Sequence, residues 1–354
     1  MNVFPIPAVF PGRNHIPERR ISMHFRTTKT LAVAAASAAL VALLAGCSSS
    51  PASTSSNGSD DKGTFAQDSK TLVVSSLPSE DGTDPNAALD AYLGKKTGLT
   101  IKYVPTTDYS SLIAASIAGQ LDVAVFSGAT YVTAVNKGAK LDVVSAEIST
   151  KGLTEPGYYS NAIVANKNVS QYQTVSQFKG KKICFVDPTS TSGFFYPLLA
   201  LKAAGINVTP SGTDAAGDPQ FKDFTAYFAG SHPKSVQAVA SGQCDVGFAE
   251  DKESEAAGSG VTVVKDAAAA GDGKGHQLVP GSPIVISDTL PASLKKKLTS
   301  VLSTVTADDI TGAGVTESVD DFYGILPETK DFYQPIYDGC ADAGIKQAAA
   351  AVCG

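Results

Sequence analysis

From Thr71 onward the apolar positions switch between short continuous runs and helical spacing. Leu72-Val73-Val74-Ser75 reads as a buried strand, followed by a Pro/Glu/Asp/Gly loop. A helix is predicted from Asn86, with Ala87, Leu89, Tyr92 and Leu93 on one face and Gly98 as its stop. Thr100 to Val104 is a second strand. Tyr109 to Ala118 is a helix carrying Leu112, Ile113 and Ile117 and halted by Gly119. Asp122 to Phe126 and then Thr130 to Asn136 continue the alternation. The order βαβαβ with short connections predicts a parallel sheet flanked by helices.

A second series starts near Gln177. Lys182 to Val186 and Cys244 to Phe248 read as strands, and Gly193 to Ala204 and Ser235 to Ala240 as helices. Between the two series, Ala162-Ile163-Val164-Ala165 is a strand able to cross between lobes, and Val261 to Val264 is its return. Two crossings predict an α/β fold of two lobes joined by a hinge, with a ligand cleft between them. The expected boundaries are 70–163 and 264–354 for a discontinuous first lobe and 164–263 for the second. The part beyond Pro291 reads as helical and is expected to pack back on the first lobe.

The residues before Thr71 have a different character. Residues 1–46 read as a secretory signal: from Met23, basic Arg26 and Lys29 precede an apolar run from Leu31 to Ala45. That run is short for a membrane span, which needs about 20 residues. Met1 to Ser22 read as an over-long start ahead of Met23. Leu44-Ala45-Gly46-Cys47 resembles the lipobox of bacterial lipoproteins, which implies a lipid on Cys47 and anchoring to the extracytoplasmic face of the membrane. An ordinary cleaved signal with an incidental cysteine is the alternative. Residues 47–69, rich in Ser, Gly and Pro, bury too little apolar surface to order themselves and form a linker.

Charge narrows the partners. The chain has 28 basic and 34 acidic residues, a net −6. The leader holds five of the basic and one of the acidic residues, leaving 23 and 33, or −10. No basic run is present, so nucleic acid is an unsuitable partner. Setting Cys47 aside leaves Cys184, Cys244, Cys340 and Cys353, an even number that suggests two disulfides in an exported protein. Of three pairings, Cys184–Cys244 and Cys340–Cys353 are favoured, since the first two share a predicted lobe and the last two close a C-terminal loop. Free buried thiols are the alternative. No CxxC spacing points to zinc or redox chemistry.

The candidate chemistry is concentrated in Asp187-Pro188-Thr189-Ser190-Thr191-Ser192-Gly193, between a strand and the start of a helix. The first N–H groups of a helix lack intrahelical partners and carry partial positive charge. Hydroxyls added there suit a tetrahedral oxyanion, although Ser and Thr also serve as plain helix caps.

This segment, with Pro197 beyond it, resembles the signature of the phosphonate/phosphite/phosphate-binding lipoproteins of ABC importers. So do Phe228-Ala229-Gly230-Ser231-His232-Pro233-Lys234 and Gly242-Gln243-Cys244-Asp245-Val246-Gly247. Weaker matches are Asp108-Tyr109, Asp122 to Gly128, Pro156 to Ser160 and Leu278 to Pro283. They occur in the family's order from about Leu72 to Val285. The resemblance implies a type II periplasmic-binding-protein fold, a membrane permease as partner, and a monomer that needs no cofactor or metal. It implies that Ser190, Thr191 and Ser192 bind the phosphorus oxygens, that His232 donates a ring N–H from a facing loop, and that Tyr109 donates its phenol. Tyr158 or Tyr159 lines the cleft, and Ser127 with Ser79-Glu80-Asp81 completes a first-lobe wall.

Departures from the family bear on the ligand. Members that bind aminoalkyl phosphonates place carboxylates near the distal amine, and at one such position this chain has Ser282. At the other it has Glu250-Asp251-Lys252-Glu253, with the inward-facing side chain left open. The expected ligand is therefore phosphite, phosphate or a small alkylphosphonate. Another small anion such as a sulfonate, or a role as a ligand-sensing lipoprotein, is the alternative. Enzymatic phosphoester chemistry is not expected, because no metal set or activated nucleophile accompanies the hydroxyls.

Overall fold

The computed structural model describes residues 63–77, 79, 82–265, 276–319 and 322–354. Cys47 and the leader lie outside the described residues. Chain order begins with β1 (Thr71–Ser76), α1 (Ala87–Thr97), β2 (Thr100–Tyr103), α2 (Tyr109–Ile117), β3 (Val123–Val125), α3 (Gly128–Asn136) and β4 (Leu141–Glu147). β5 (Gly157–Ala165) and β6 (Lys182–Phe185) follow, then a π-helical turn (Thr191–Phe195) that runs into α4 (Tyr196–Ala203). Next come β7 (Pro210–Thr213), β8 (Pro219–Phe221), β9 (Thr225–Phe228), α5 (His232–Ser241), β10 (Val246–Glu250), α6 (Asp251–Ser254), β11 (Val261–Val263) and β12 (His276–Pro280). The chain ends through β13 (Pro283–Ser287), α7 (Ala292–Leu302), α8 (Ala307–Gly312), β14 (Ile325–Leu326), α9 (Gln334–Gly339), α10 (Ala343–Ala348) and α11 (Ala350–Cys353).

Local chemistry explains the first-lobe elements. β1 lies in the sheet interior, so all six of its residues are buried and the strand reads as a continuous apolar run. α1 ends where Gly98 takes a left-handed conformation (φ 75°) that few other residues tolerate. α2 starts at Asp108, whose carboxylate accepts the Ser111 N–H at 2.7 Å while the Ser111 hydroxyl lies 3.2 Å from the Asp108 N–H. Two otherwise unpaired donors are thereby satisfied at the helix start.

The expected parallel pairings are present: β1 pairs in parallel with β2 and β3, and β6 with β9 and β10. Both sheets are nevertheless mixed. In the first, ordered β14-β4-β13-β3-β1-β2, the returning β13 runs antiparallel to β3 and β4. In the second, ordered β11-β5-β10-β6-β9, strand β5 runs antiparallel to β10, β11 and β12. Strands supplied by a returning chain carry no βα repeat, so the alternation in sequence did not reveal them.

The sheet changes fall elsewhere than expected. Ala162 to Ala165, read as a crossing, is the C-terminal end of β5 and belongs wholly to the second sheet; the boundaries 163/164 and 263/264 fall inside that sheet. The chain passes from β4 to β5 between Glu147 and Gly157, and returns between Pro280 and Pro283. A strand buried on both faces and a strand crossing between lobes have the same apolar signature, which is why the run misled. The two passages lie side by side: the Glu147 N–H donates to the Ser282 carbonyl at 3.0 Å, and within the first the Ser149 N–H donates to the Gly157 carbonyl at 2.9 Å. Gly281 allows this approach, since a Cβ there would sit 2.2 Å from the Glu147 carbonyl oxygen.

The C-terminal helices serve both lobes. α7 packs on α1 and β4 as expected of the first lobe. α9 and α11 lie on α3, while α10 lies on α4 and β7, and Lys202 pairs with Asp342 at the start of α10. One apolar cluster therefore joins Tyr131 and Val132 of α3, Phe194 and Phe195 of the π-turn, and Tyr333, Ile336, Ile345 and Val352 of the C-terminus. Both favoured disulfides form. Cys184–Cys244 links β6 to the approach to β10, and Cys340–Cys353 closes the C-terminal helices.

Candidate functional site

The hydroxyl segment forms a helix start of unusual pitch. Ser190 is its cap, and its hydroxyl accepts the Gly193 N–H at 3.0 Å. The Phe195 N–H donates to the Ser190 carbonyl at 3.0 Å, and the Tyr196 N–H to the Thr191 carbonyl, so bonds run i to i+5. A π-turn is common at functional sites, and here it leaves one more amide without an intrahelical acceptor than an α-helix does. Among the described residues, the Thr191 and Ser192 N–H groups have no acceptor within the protein. Gly193 is required by space: a Cβ would meet Val186 at 2.3 Å and the Ser190 hydroxyl at 2.8 Å.

His232 closes over this turn. It opens α5, after β9 of the same lobe, and does not come from a facing loop, because β6 and β9 are adjacent parallel strands whose C-terminal ends open side by side. Its Nε2 lies 3.2 Å from the Ser192 hydroxyl, and its Nδ1 accepts the Glu250 backbone N–H at 2.9 Å. An acceptor Nδ1 puts the ring proton on Nε2, directed at the turn. Burial lowers the imidazole pKa to about 4, so the ring is a neutral donor at pH 7.

Two phenols complete the group. Tyr109, at the start of α2 in the first lobe, is 4 % exposed and lies against the Ser190 hydroxyl. Tyr158 of β5 is 2 % exposed and lies against Ser192 and Thr191; its neighbour Tyr159 is less buried. Burial raises both phenols far above their ordinary range, with nearby carboxylates adding to the effect, so both remain protonated donors. Ser190, Thr191, Ser192, His232, Tyr109 and Tyr158 are thus brought together with no formal positive charge among them.

Ser127 sits apart. It caps α3, is 4 % exposed, and its hydroxyl lies 2.8 Å from that of Thr130. The two residues that reach across to the second lobe are its neighbours Thr130 and Ala129. The Thr130 hydroxyl donates to the Thr189 carbonyl at 3.0 Å, and the Ala129 N–H donates to the Thr191 hydroxyl at 2.8 Å. Thr191 therefore accepts a helix-start amide of the opposite lobe while keeping its own proton to donate. Nothing in the strand-like text around Ser127 signals this contact, which exists only once the lobes meet.

A cleft of about 660 Å³ opens in front of the group. Tyr109 and His232 form its inner boundary, and Ser190 to Ser192 lie behind them. Its charged lining is Asp84, Glu147, Glu250, Lys252, Glu253 and Glu317, with Ser282 and Ser79 beside them; Glu80 and Asp81 lie outside the described residues. Of the residues left open by the sequence, Glu250, Lys252 and Glu253 face the cleft. Asp251 turns away, taking the Thr150 hydroxyl at 2.6 Å and the Tyr159 N–H at 3.3 Å. Glu147 was not anticipated, although its place at the carboxyl end of β4 is where ligands meet open sheets. Burial raises its pKa to about 7, with the Ser282 hydroxyl and the Lys252 ammonium pulling the other way. Burial pushes Glu250 well above the usual carboxylate range, and Glu253 and Asp251 add to the rise.

Two mixed sheets whose strand ends and helix starts meet across such a cleft define a two-lobed solute-binding protein. The family model for the periplasmic substrate-binding protein of phosphonate ABC transporters matches residues 72–333. The chain belongs to that family, whose members are transport substrate-binding proteins and not enzymes. It is 34 % identical over 232 residues to a phosphate-import protein of Mycolicibacterium smegmatis, covering 65 % of this chain and 67 % of that one. It is 24 % identical over 186 residues to a probable ABC transporter phosphite-binding protein of Prochlorococcus marinus, covering 50 % and 57 %. Among solved structures, a Prochlorococcus marinus PhnD1 complex with methylphosphonate superposes with a TM-score of 0.60 at 19 % identity, covering 77 % of this chain and 97 % of that one. A binding-protein component of a phosphonate ABC transporter from Pseudomonas aeruginosa gives 0.56 at 18 %, covering 80 % and 94 %. These last two likenesses establish the fold.

Proposed function

We propose that this protein captures a phosphorus oxyanion, namely phosphite, phosphate or a small alkylphosphonate, and delivers it to a membrane permease. The reading rests on one arrangement above all. Ser190, Thr191 and Ser192 at a π-turn start, the Nε2–H of His232 and the phenols of Tyr109 and Tyr158 are all donors, and the ring and both phenols lie against the hydroxyls of that one turn. An oxyanion accepts from every one of them, and a dry site makes such neutral donors strong. The relatives named above for phosphate, phosphite and methylphosphonate support the same ligand class. Ser192 and His232 must part to admit the ligand, and closure of the lobes then excludes water.

The monomer is held near its permease by a lipid on Cys47 and a linker shorter than the expected 47–69, since the Thr64 N–H donates to the Thr289 carbonyl and the Ala66 N–H to the Asp122 carboxylate, each at 2.8 Å. Among the described residues no helix is long and apolar enough to cross a membrane. A thermal-shift and calorimetric screen tests the ligand class. Phosphite, phosphate and methylphosphonate are expected to stabilise the protein. Stabilisation by alkanesulfonates alone would overturn the phosphorus assignment. Radiolabelled palmitate incorporation that is lost in Cys47→Ala tests the anchor.

A further inference from the structure

The turn that carries Ser190, Thr191 and Ser192 offers donors on one side and must satisfy its own acceptors on the other. Within it each carbonyl is taken by the amide five residues on, that of Ser190 by Phe195 and that of Thr191 by Tyr196. The next carbonyl in this series, that of Ser192, falls to Pro197, which has no N–H to give. A buried carbonyl left without a donor is costly. Here the donor comes from outside the turn: the Ser160 hydroxyl of β5 reaches the Ser192 carbonyl at 2.6 Å, and the two residues are 2 % and 1 % exposed. At the other end of the same peptide, the Gly193 N–H donates to the Ser190 hydroxyl at 3.0 Å. The Ser192–Gly193 peptide is thus pinned at both ends.

Sheet register ties this peptide to the imidazole. Ser160 stands opposite Glu250 in the β5–β10 pairing, and the Glu250 N–H is the one that holds Nδ1 of His232 at 2.9 Å. One rung of the sheet therefore holds the turn through Ser160 and the ring through Glu250, with the Ser192 hydroxyl and Nε2 3.2 Å apart between them. Resting on the phosphorus reading above, we infer that Ser160 is a positioning residue of the anion site: its hydroxyl makes the bond that Pro197 cannot, and so aims the Ser192 N–H and hydroxyl at the ligand. It acts on the ligand through Ser192. A serine within a strand that is buried along almost its whole length also has a use here that packing does not give it, since a buried hydroxyl is costly unless it is bonded.

The test reads affinity and the ring together. Calorimetry with phosphite, phosphate and methylphosphonate is expected to show a loss of about tenfold in Ser160→Ala. The His232 Nε2–H signal in NMR of the ligand-free variant is expected to shift, because its Ser192 partner has moved. Pro197→Ala in the Ser160→Ala background returns a backbone N–H five residues beyond Ser192, and is expected to bring affinity back to within about threefold of native. General damage to the lobe would not be repaired by a second substitution in the same turn, and circular dichroism melts check folding. If Ser160→Ala alone does not fold, folding and binding by the double variant support the inference, and its failure to fold overturns it. Affinity in Ser160→Ala within about twofold of native, an unmoved ring signal, or a loss that Pro197→Ala leaves in place overturns the inference and leaves the phosphorus reading intact. Failure of the native protein to bind any of the three anions overturns that reading, and the ring signal, read without ligand, then decides the inference by itself.

Discussion

The Nδ1 atom of His232 accepts the backbone N–H of Glu250 at 2.9 Å, and this bond decides which ring nitrogen faces the Ser190–Ser192 turn. The acceptor nitrogen holds no proton, so the opposite one does. Imidazole NMR is expected to show the Nε2–H tautomer, with no protonation above about pH 5, in keeping with a pKa lowered to about 4 by burial. A titration near pH 6.5 would contradict this placement. His232→Ala is expected to weaken phosphorus-anion binding by about 10- to 100-fold, the range for one hydrogen bond to a charged group.

Removing the Ser192 hydroxyl takes away both a donor to the anion and the partner of His232 Nε2. Ser192→Ala is expected to cost about tenfold in affinity by calorimetry, and the triple alanine variant of Ser190, Thr191 and Ser192 to abolish binding with an unchanged circular dichroism spectrum. Gly193→Ala is different in kind. Its Cβ has no space beside Val186, so a lower melting temperature is expected along with lost binding.

The Thr130 hydroxyl, fully buried, donates to the Thr189 carbonyl across the lobes. Thr130→Val keeps the shape and leaves that buried carbonyl unpaired, so a loss of about 1–3 kcal/mol is expected in urea denaturation. An unchanged midpoint would mean that the contact contributes nothing.

Glu147 and His232 have opposed pH dependences. With its folded pKa raised to about 7, Glu147 contributes stability fully below the unfolded value near 4.5 and loses it as the pH rises to 7. With its folded pKa lowered to about 4, His232 contributes stability above its unfolded value near 6.5 and loses it as the pH falls to 4. Between about pH 4.5 and 6.5 the two slopes oppose each other. Glu147→Gln removes one of them, so its stability is expected to climb more steeply with pH across that window. It is also expected to exceed the native protein by about 1–3 kcal/mol above pH 7 in urea titrations.

The two disulfides span 60 and 13 residues of sequence. Loop-closure entropy gives about 4 kcal/mol for Cys184–Cys244 and about 3 kcal/mol for Cys340–Cys353. Double alanine variants are expected to lower unfolding free energy in that order. The C-terminal pair is the more telling, because the helices it closes touch both α3 and α4.

Local signals determined much of this protein. Strand and helix positions from β1 to α3, a helix opening at the end of the Asp187–Gly193 segment and the stop at Gly98 all follow from residue types and spacing, because backbone geometry is settled within a few residues; the start at Thr191 behind the Ser190 cap, two residues ahead of the expected Gly193, came from the π-turn. The cysteine pairing followed from lobe membership alone. What the tertiary structure decided depends on chain segments far apart in sequence. The antiparallel strands β13 and β5, the true sheet changes near Glu147 and Ser282, and the Thr130–Thr189 contact carry no local periodicity. The same holds for the orientation of Glu250 and Lys252, which flank Asp251 and to which composition assigns no direction. Their facing the cleft, with Asp251 turned to Thr150, is fixed by where β10 ends beside β5, and no run of sequence encodes that by itself.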